Sequence, residues 1–165
     1  MITKHEARVT KDLANKKITV VKEFDADVEK VWEAWTESSI LDQWWAPKPW
    51  RAETKKMDFR KGGYWHYSMT GPDNNRVWGR LDYKTIEAPN QIIAVDSFSD
   101  ENGNKAEGDF PSVNWTINFS KARNGTKVEV LVVGNKTGDV EKLLEMGFEQ
   151  GFTMALDNLE ELIIK

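Results

Sequence analysis

The chain has 165 residues, 39% hydrophobic and 30% charged, a length and mix that fit one packed domain and exclude a disordered chain. It contains no cysteine, which excludes disulfides, thiolate zinc sites, iron–sulfur clusters and a cysteine nucleophile. Lys and Arg number 23 against 27 Asp and Glu, and a net charge of −4 with no basic block argues against nucleic acid or anionic membrane surfaces as partners.

The N-terminal stretch MITKHEARVTKDL has no apolar run behind its charges, so no signal peptide is expected. No stretch approaches the roughly 18 apolar residues of a membrane span. A cytoplasmic protein is the expectation, read as one domain over residues 1–165 with 1–17 as an N-terminal extension. Within that extension Arg8–Leu13 reads as a short strand and Asn15–Lys17 as its turn. Ile18–Phe24 is β-branched and predicts a strand. Asp25-Ala26-Asp27 is an N-cap signal, and Val28, Val31, Trp32 and Trp35 follow at the spacing of one helical face. A second, short helix starts at Ser38 or Ser39, with Ser39 and Asp42 in a capping-box pattern, and ends at Ala46-Pro47-Lys48-Pro49.

From Arg51 to Gly134 the period becomes two. Strands are predicted over Arg51–Phe59, Tyr64–Met69, Val77–Glu87, Gln91–Ser99, from Val113 to Ser120, and over Thr126–Val133. Asp100–Pro111 is a polar loop, and Asn124-Gly125 is the clearest hairpin signal. Alternation turns Trp65, Tyr67, Met69, Leu81, Tyr83, Val113, Trp115, Ile117, Phe119, Val128 and Val130 to one face. Asp139–Lys165 predicts one amphipathic helix of about 25 residues, about 37 Å long. Segregated strands and helices give an α+β fold: five or six antiparallel strands in a meander, whose concave face only the last helix is long enough to cover.

Several spaced blocks then resemble a known family. They are Phe24-Asp25-Ala26-Asp27, Val31-Trp32, Ala34-Trp35-Thr36 and Leu41…Trp44-Trp45-Ala46-Pro47, then Met57-Asp58-Phe59-Arg60-Lys61-Gly62-Gly63-Tyr64-Trp65. Trp78-Gly79 with Tyr83 and Ile86-Glu87, and Gly147-Phe148…Gly151-Phe152…Leu156-Asp157-Asn158-Leu159, complete the set. Over about residues 18–163 the chain is similar to activator-of-heat-shock-protein-90-ATPase homologue-like domains, members of the START-like (SRPBCC) superfamily. The resemblance implies a helix-grip fold, a curved antiparallel sheet wrapped around the C-terminal helix with an apolar cavity between them. Fold analogy alone does not assign function.

The eight tryptophans, at 32, 35, 44, 45, 50, 65, 78 and 115, either fill a core or wall a ligand pocket. Periodicity alone favours a filled core, and the resemblance tips the balance to a cavity. Its candidate ligand-binding residues are Trp45, Trp65, Tyr67, Trp78, Tyr83, Trp115, Ile117, Gly147, Phe148, Gly151 and Phe152. Gly147 and Gly151, four apart, either pack the helix backbone closely on the sheet or leave space for a ligand. Each costs about 1 kcal/mol against alanine inside a helix. His66 falls on the face opposite Trp65 and is expected to face solvent, and His5 to lie in a mobile terminus. No Gly-x-Ser-x-Gly elbow, HExxH or EF-hand spacing occurs, so no metal or cofactor is expected. Asp58 and Arg60 are expected to form a structural ion pair. The leading function is non-catalytic binding of a small hydrophobic molecule, lipid-like or aromatic, by a monomer or weak dimer. Interaction with a chaperone is the second reading. A polyketide-cyclase-like enzyme is the third, and it requires a polar pair pointing into the pocket.

Overall fold

The computed structural model describes residues 5–163; the first four residues of the expected extension and the last two of the expected final helix lie outside that range. In chain order the elements are β1 (Arg8–Asp12), a short 3-10 turn (Leu13–Asn15), β2 (Lys17–Phe24), α1 (Val28–Thr36) and α2 (Ser38–Trp44). Then follow β3 (Arg51–Met57), β4 (Tyr64–Thr70), β5 (Arg76–Glu87), β6 (Gln91–Ser99), β7 (Val113–Ala122), β8 (Gly125–Gly134), α3 (Asp139–Glu145) and α4 (Phe148–Ile163). All eight strands form one antiparallel sheet in the order β1-β2-β8-β7-β6-β5-β4-β3. The meander from β3 to β8 is extended by the β1–β2 hairpin, which falls where strands were expected over Arg8–Leu13 and Ile18–Phe24. β2 pairs along its whole length with β8, Ile18 opposite Val132 and Phe24 opposite Thr126.

Two helical expectations change. Asp27 caps α1 as its sequence signals, its carboxylate accepting from the Lys30 N–H at 3.2 Å. The Ser39–Asp42 capping box does not form, because Asp42 instead accepts from the Thr54 hydroxyl at 2.6 Å and ties α2 to β3. The final helix is two helices. Gly147 has φ +90°, a left-handed conformation that ends α3, and its N–H donates back to the Leu144 carbonyl at 3.0 Å.

The core lies between the concave face of the sheet and the helices. Inward residues of alternating register, among them Trp65, Leu81, Tyr83, Ile92, Trp115, Ile117, Val128 and Val130, are buried. Helix α1 fills one end of this face: Trp32 meets Phe119 edge-on at 5.1 Å and Phe59 at 6.0 Å, and Trp35 meets Phe119 at 6.0 Å. Such aromatic pairs add about 0.5–1.5 kcal/mol each beyond the area they bury. At the base of α4, Lys22 is fully buried, its ammonium between Glu160 at 3.3 Å and Asp157 at 3.4 Å, and it donates to the backbone carbonyl of His5. His5 is consequently anchored: its N–H donates to Glu160 at 3.0 Å and its ring pairs with Asp25 at 2.8 Å.

His66 is buried, contrary to expectation. The Asp100–Lys105 loop turns back over the outer face of the sheet, where Ser99 bridges Lys105 and Arg80 donates to the Gly103 carbonyl at 3.0 Å. The His66 ring lies beneath that loop, 3.1 Å from the Asp100 carbonyl and 5.0 Å from the Trp78 ring. Asp58 and Arg60 do pair, at 2.8 Å, on the surface beside the Gly62-Gly63 turn. Among the described residues no helix is long and apolar enough to cross a membrane, and no cluster of three or more His, Asp or Glu could hold a metal ion.

Candidate functional site

Helix α1 does not reach the other half of the concave face. There, between β4–β7 and the α3–α4 pair, lies a cavity of about 380 Å³ that opens to solvent. Its floor is Tyr67, Val113 and Trp115, and its roof is Leu143, Met146, Gly147, Phe148, Gly151 and Phe152. That volume falls within the range of small-molecule pockets.

Trp45, the residue that ends α2, forms the partition between the filled half and the open half. Its ring stands 5.1 Å from Trp65, 5.9 Å from Trp35, 5.8 Å from Trp115 and 6.2 Å from Phe152. Phe148 and Phe152 stack at 5.3 Å along the roof, and both meet Trp115 edge-on. The α4 face is fixed to the loop after α2 by Asn158, whose side-chain amide donates to the Ala46 carbonyl at 3.1 Å.

Both roof glycines leave space. A Cβ at Gly147 would meet nothing within 4 Å, and one at Gly151 would touch only Pro47, at 3.6 Å. Neither glycine presses helix backbone onto the sheet. On the floor, Gly79 of β5 has the opposite role: a Cβ there would come within 2.7 Å of the Tyr67 hydroxyl oxygen. The missing side chain at 79 lets the phenol lie across β5 at the cavity wall.

Of the eleven residues expected at the site, Trp45, Tyr67, Trp78, Trp115, Gly147, Phe148, Gly151 and Phe152 line the cavity. Trp78 does so without turning its ring inward. Its register partner is Ser68 on the outer face, where the ring packs on His66 beneath the cations of Lys55 and Arg76. Trp65, Tyr83 and Ile117 are core residues that the cavity does not reach. They share its face of the sheet, but Tyr83 packs edge-on against Phe59 at 4.9 Å and Trp65 donates its indole N–H to Thr54 at 3.0 Å.

Sequence reasoning missed Asp96, the only charged residue on the cavity wall. It lies on β6 in step with the buried Ile92 and Ala94, and its cross-strand partners Leu81 and Val113 are both buried. The same alternation that predicted the inward rings places this carboxyl among them. Burial pushes the Asp96 carboxyl up to about 7. Burial also holds the Tyr67 phenol well above its ordinary value, with the nearby Asp96 charge as a second cause. Asp109 ties the loop before β7 to α3 through Lys142 at 2.8 Å and to the β8–α3 loop through Lys136 at 3.0 Å. Those two bonds pull its carboxyl down to about 2.

Comparison with known proteins fits this architecture. Residues 25–163 match the family model described as Activator of Hsp90 ATPase homolog 1-like protein. A protein from Arthrobacter aurescens with a solution NMR structure is 32% identical, with a TM-score of 0.86 over 93% of this chain and 88% of that one. Protein Ms6760 from Mycobacterium smegmatis is 26% identical, with a TM-score of 0.86 over 94% of each chain. The AHSA1 protein from Silicibacter pomeroyi, 16% identical with a TM-score of 0.71 over 90% of this chain and 97% of that one, is alike in fold. No curated protein matches the sequence. With the family pattern matched from the cap of α1 to the end of α4, on a curved sheet gripping the C-terminal helix, the chain belongs to the Activator of Hsp90 ATPase homolog 1-like family of START-like, helix-grip domains.

Proposed function

We propose that this protein binds a small hydrophobic ligand, aromatic or lipid-like, in the cavity between the sheet and α3–α4. The observation that carries the reading is an open space of about 380 Å³ walled by Trp45, Tyr67, Trp115, Phe148 and Phe152 beneath two glycines. An apolar guest excludes water from those rings, at about 25 cal/mol for each Å² buried. Gly147 and Gly151 leave the roof thin. Binding needs no covalent chemistry. Among the lining residues Asp96 and Tyr67 are the titratable pair, and in this reading they orient a polar end of the guest.

The test is a panel of flavonoids, fatty acids, fatty alcohols and fatty amines, followed by tryptophan fluorescence and melting temperature. The expected result is saturable quenching with a rise in Tm for at least one class, abolished by Gly151→Trp, which fills the space under the roof. Silence from every class, or quenching that Gly151→Trp leaves unchanged, contradicts the proposal.

A further inference from the structure

The chemistry of the cavity wall is lopsided. Asp96 is its one charged group, and no Lys, Arg or His lines it. Among the described residues the Asp96 carboxyl has neither a hydrogen-bond donor nor an ion-pair partner; the part of it that is not covered by protein is cavity wall. An acid held this way is costly unless something arrives to pair with it. The surrounding walls are the faces and edges of Trp45, Tyr67, Trp115, Phe148 and Phe152, and aromatic faces attract cations.

We infer that the guest is a hydrophobic amine, its ammonium set on Asp96 and its apolar body against the rings beneath α4. This assignment rests on the proposed binding function and narrows it to one ligand class. The same wall selects against anions. A fatty acid or other carboxylate would meet a like charge with no cation to offset it, and discrimination of that kind comes from the repulsive contact as much as from the attractive one. A neutral alcohol could still enter, accepting or donating at Asp96 or Tyr67, without the charge-assisted bond. The only other titratable group on the wall is Tyr67 from β4; the lining residues of β5, β7, α3 and α4 carry no ionisable side chain. With its carboxyl pushed up to about 7 when the cavity is empty, Asp96 gives up a proton as an ammonium ion docks, so binding releases protons near neutrality.

The experiment uses the full chain and three probes sharing one apolar body: naphthylethylamine, naphthylethanol and naphthylacetate. Calorimetric titration at neutral pH, in two buffers of different ionisation heat, reads both affinity and proton release. The expected order is amine, then alcohol, then carboxylate, with the amine about tenfold tighter than the alcohol, a step of about 1.4 kcal/mol. Asp96→Asn keeps the side-chain volume; it is expected to erase the amine's advantage over the alcohol and the proton release. Asp96→Ala serves as a second variant with the same expected loss. Equal binding of amine and alcohol by the wild type, or an amine preference that survives both substitutions, overturns the amine assignment and leaves the cavity reading standing. Failure of all three probes to bind overturns both.

Discussion

Gly79 lies directly beneath the phenol of Tyr67, so close that a Cβ at position 79 would stand 2.7 Å from the hydroxyl oxygen and 2.8 Å from the ring carbon that bears it. The two residues are register partners on β5 and β4, and one exists without a side chain so that the other can lie flat. Gly79→Ala is expected to destabilise the fold by about 1–3 kcal/mol, the cost of overpacking a close-packed site. The same substitution in a Tyr67→Ala background should cost less than half as much, because the obstructing ring is gone. Denaturant melts of the four-protein cycle check this; additive effects would mean that the two residues do not share the space.

The two roof glycines should respond oppositely to alanine. Gly151 is helical with room for a methyl group, so Gly151→Ala is expected to stabilise by about 0.5–1 kcal/mol through helix propensity. Gly147 sits at φ +90° between two helices, so Gly147→Ala should destabilise by about 1–2 kcal/mol despite the open space around it. Thermal melts of the two variants check the signs.

Lys22 and Glu160 form a buried pair at 3.3 Å, to which Asp157 and the His5 carbonyl add. Lys22→Met leaves the Glu160 carboxylate buried without a cation and is expected to cost about 3–5 kcal/mol. Adding Glu160→Leu should restore much of that loss. The pair also fastens the N-terminal segment, so amide exchange around His5 and Glu6 should accelerate in Lys22→Met; urea melts and hydrogen exchange read both effects.

Asp96 makes stability depend on pH in a defined direction. Its carboxyl is pushed up to about 7 in the folded protein, against about 3.9 in an unfolded chain. The folded state thus holds the extra proton between those values, and stability falls as pH rises from about 4 to about 7. Asp96→Asn, which cannot ionise, is expected to be more stable than the parent by about 1–4 kcal/mol above pH 7 and indistinguishable below about pH 4. Melting temperatures across that range for both proteins decide it.

Much of the fold was legible because alternation is a strong signal in a sheet with one buried face: β4 through β8 begin and end within two residues of where period two placed them. The break at Gly147 was not legible, since a glycine within an apolar helical stripe reads equally as a tolerated residue or as the cap of one helix before the next. His66 was misjudged because its burial depends on the Asp100–Lys105 loop returning over the outer face, a long-range contact with no local pattern. Trp65, Tyr83 and Ile117 were placed on the correct face, yet alternation cannot say which half of that face α1 and α2 fill. That depends on how Trp32, Trp35 and Trp45 pack, a three-dimensional matter. Asp96, by contrast, was written in the pattern: it follows Ile92 and Ala94 at the same parity.

The most direct test of the binding cavity is the set of eight indole N–H signals in a nitrogen–proton correlation spectrum, recorded as the tightest-binding ligand of the panel is added. Occupancy of the cavity predicts that the Trp45 and Trp115 signals move and saturate together. The Trp44 signal, bonded to the Ala34 carbonyl on the far side of the partition, should stay in place. Saturable shifts that bypass Trp45 and Trp115, or a spectrum that no ligand of the panel alters, would contradict the account.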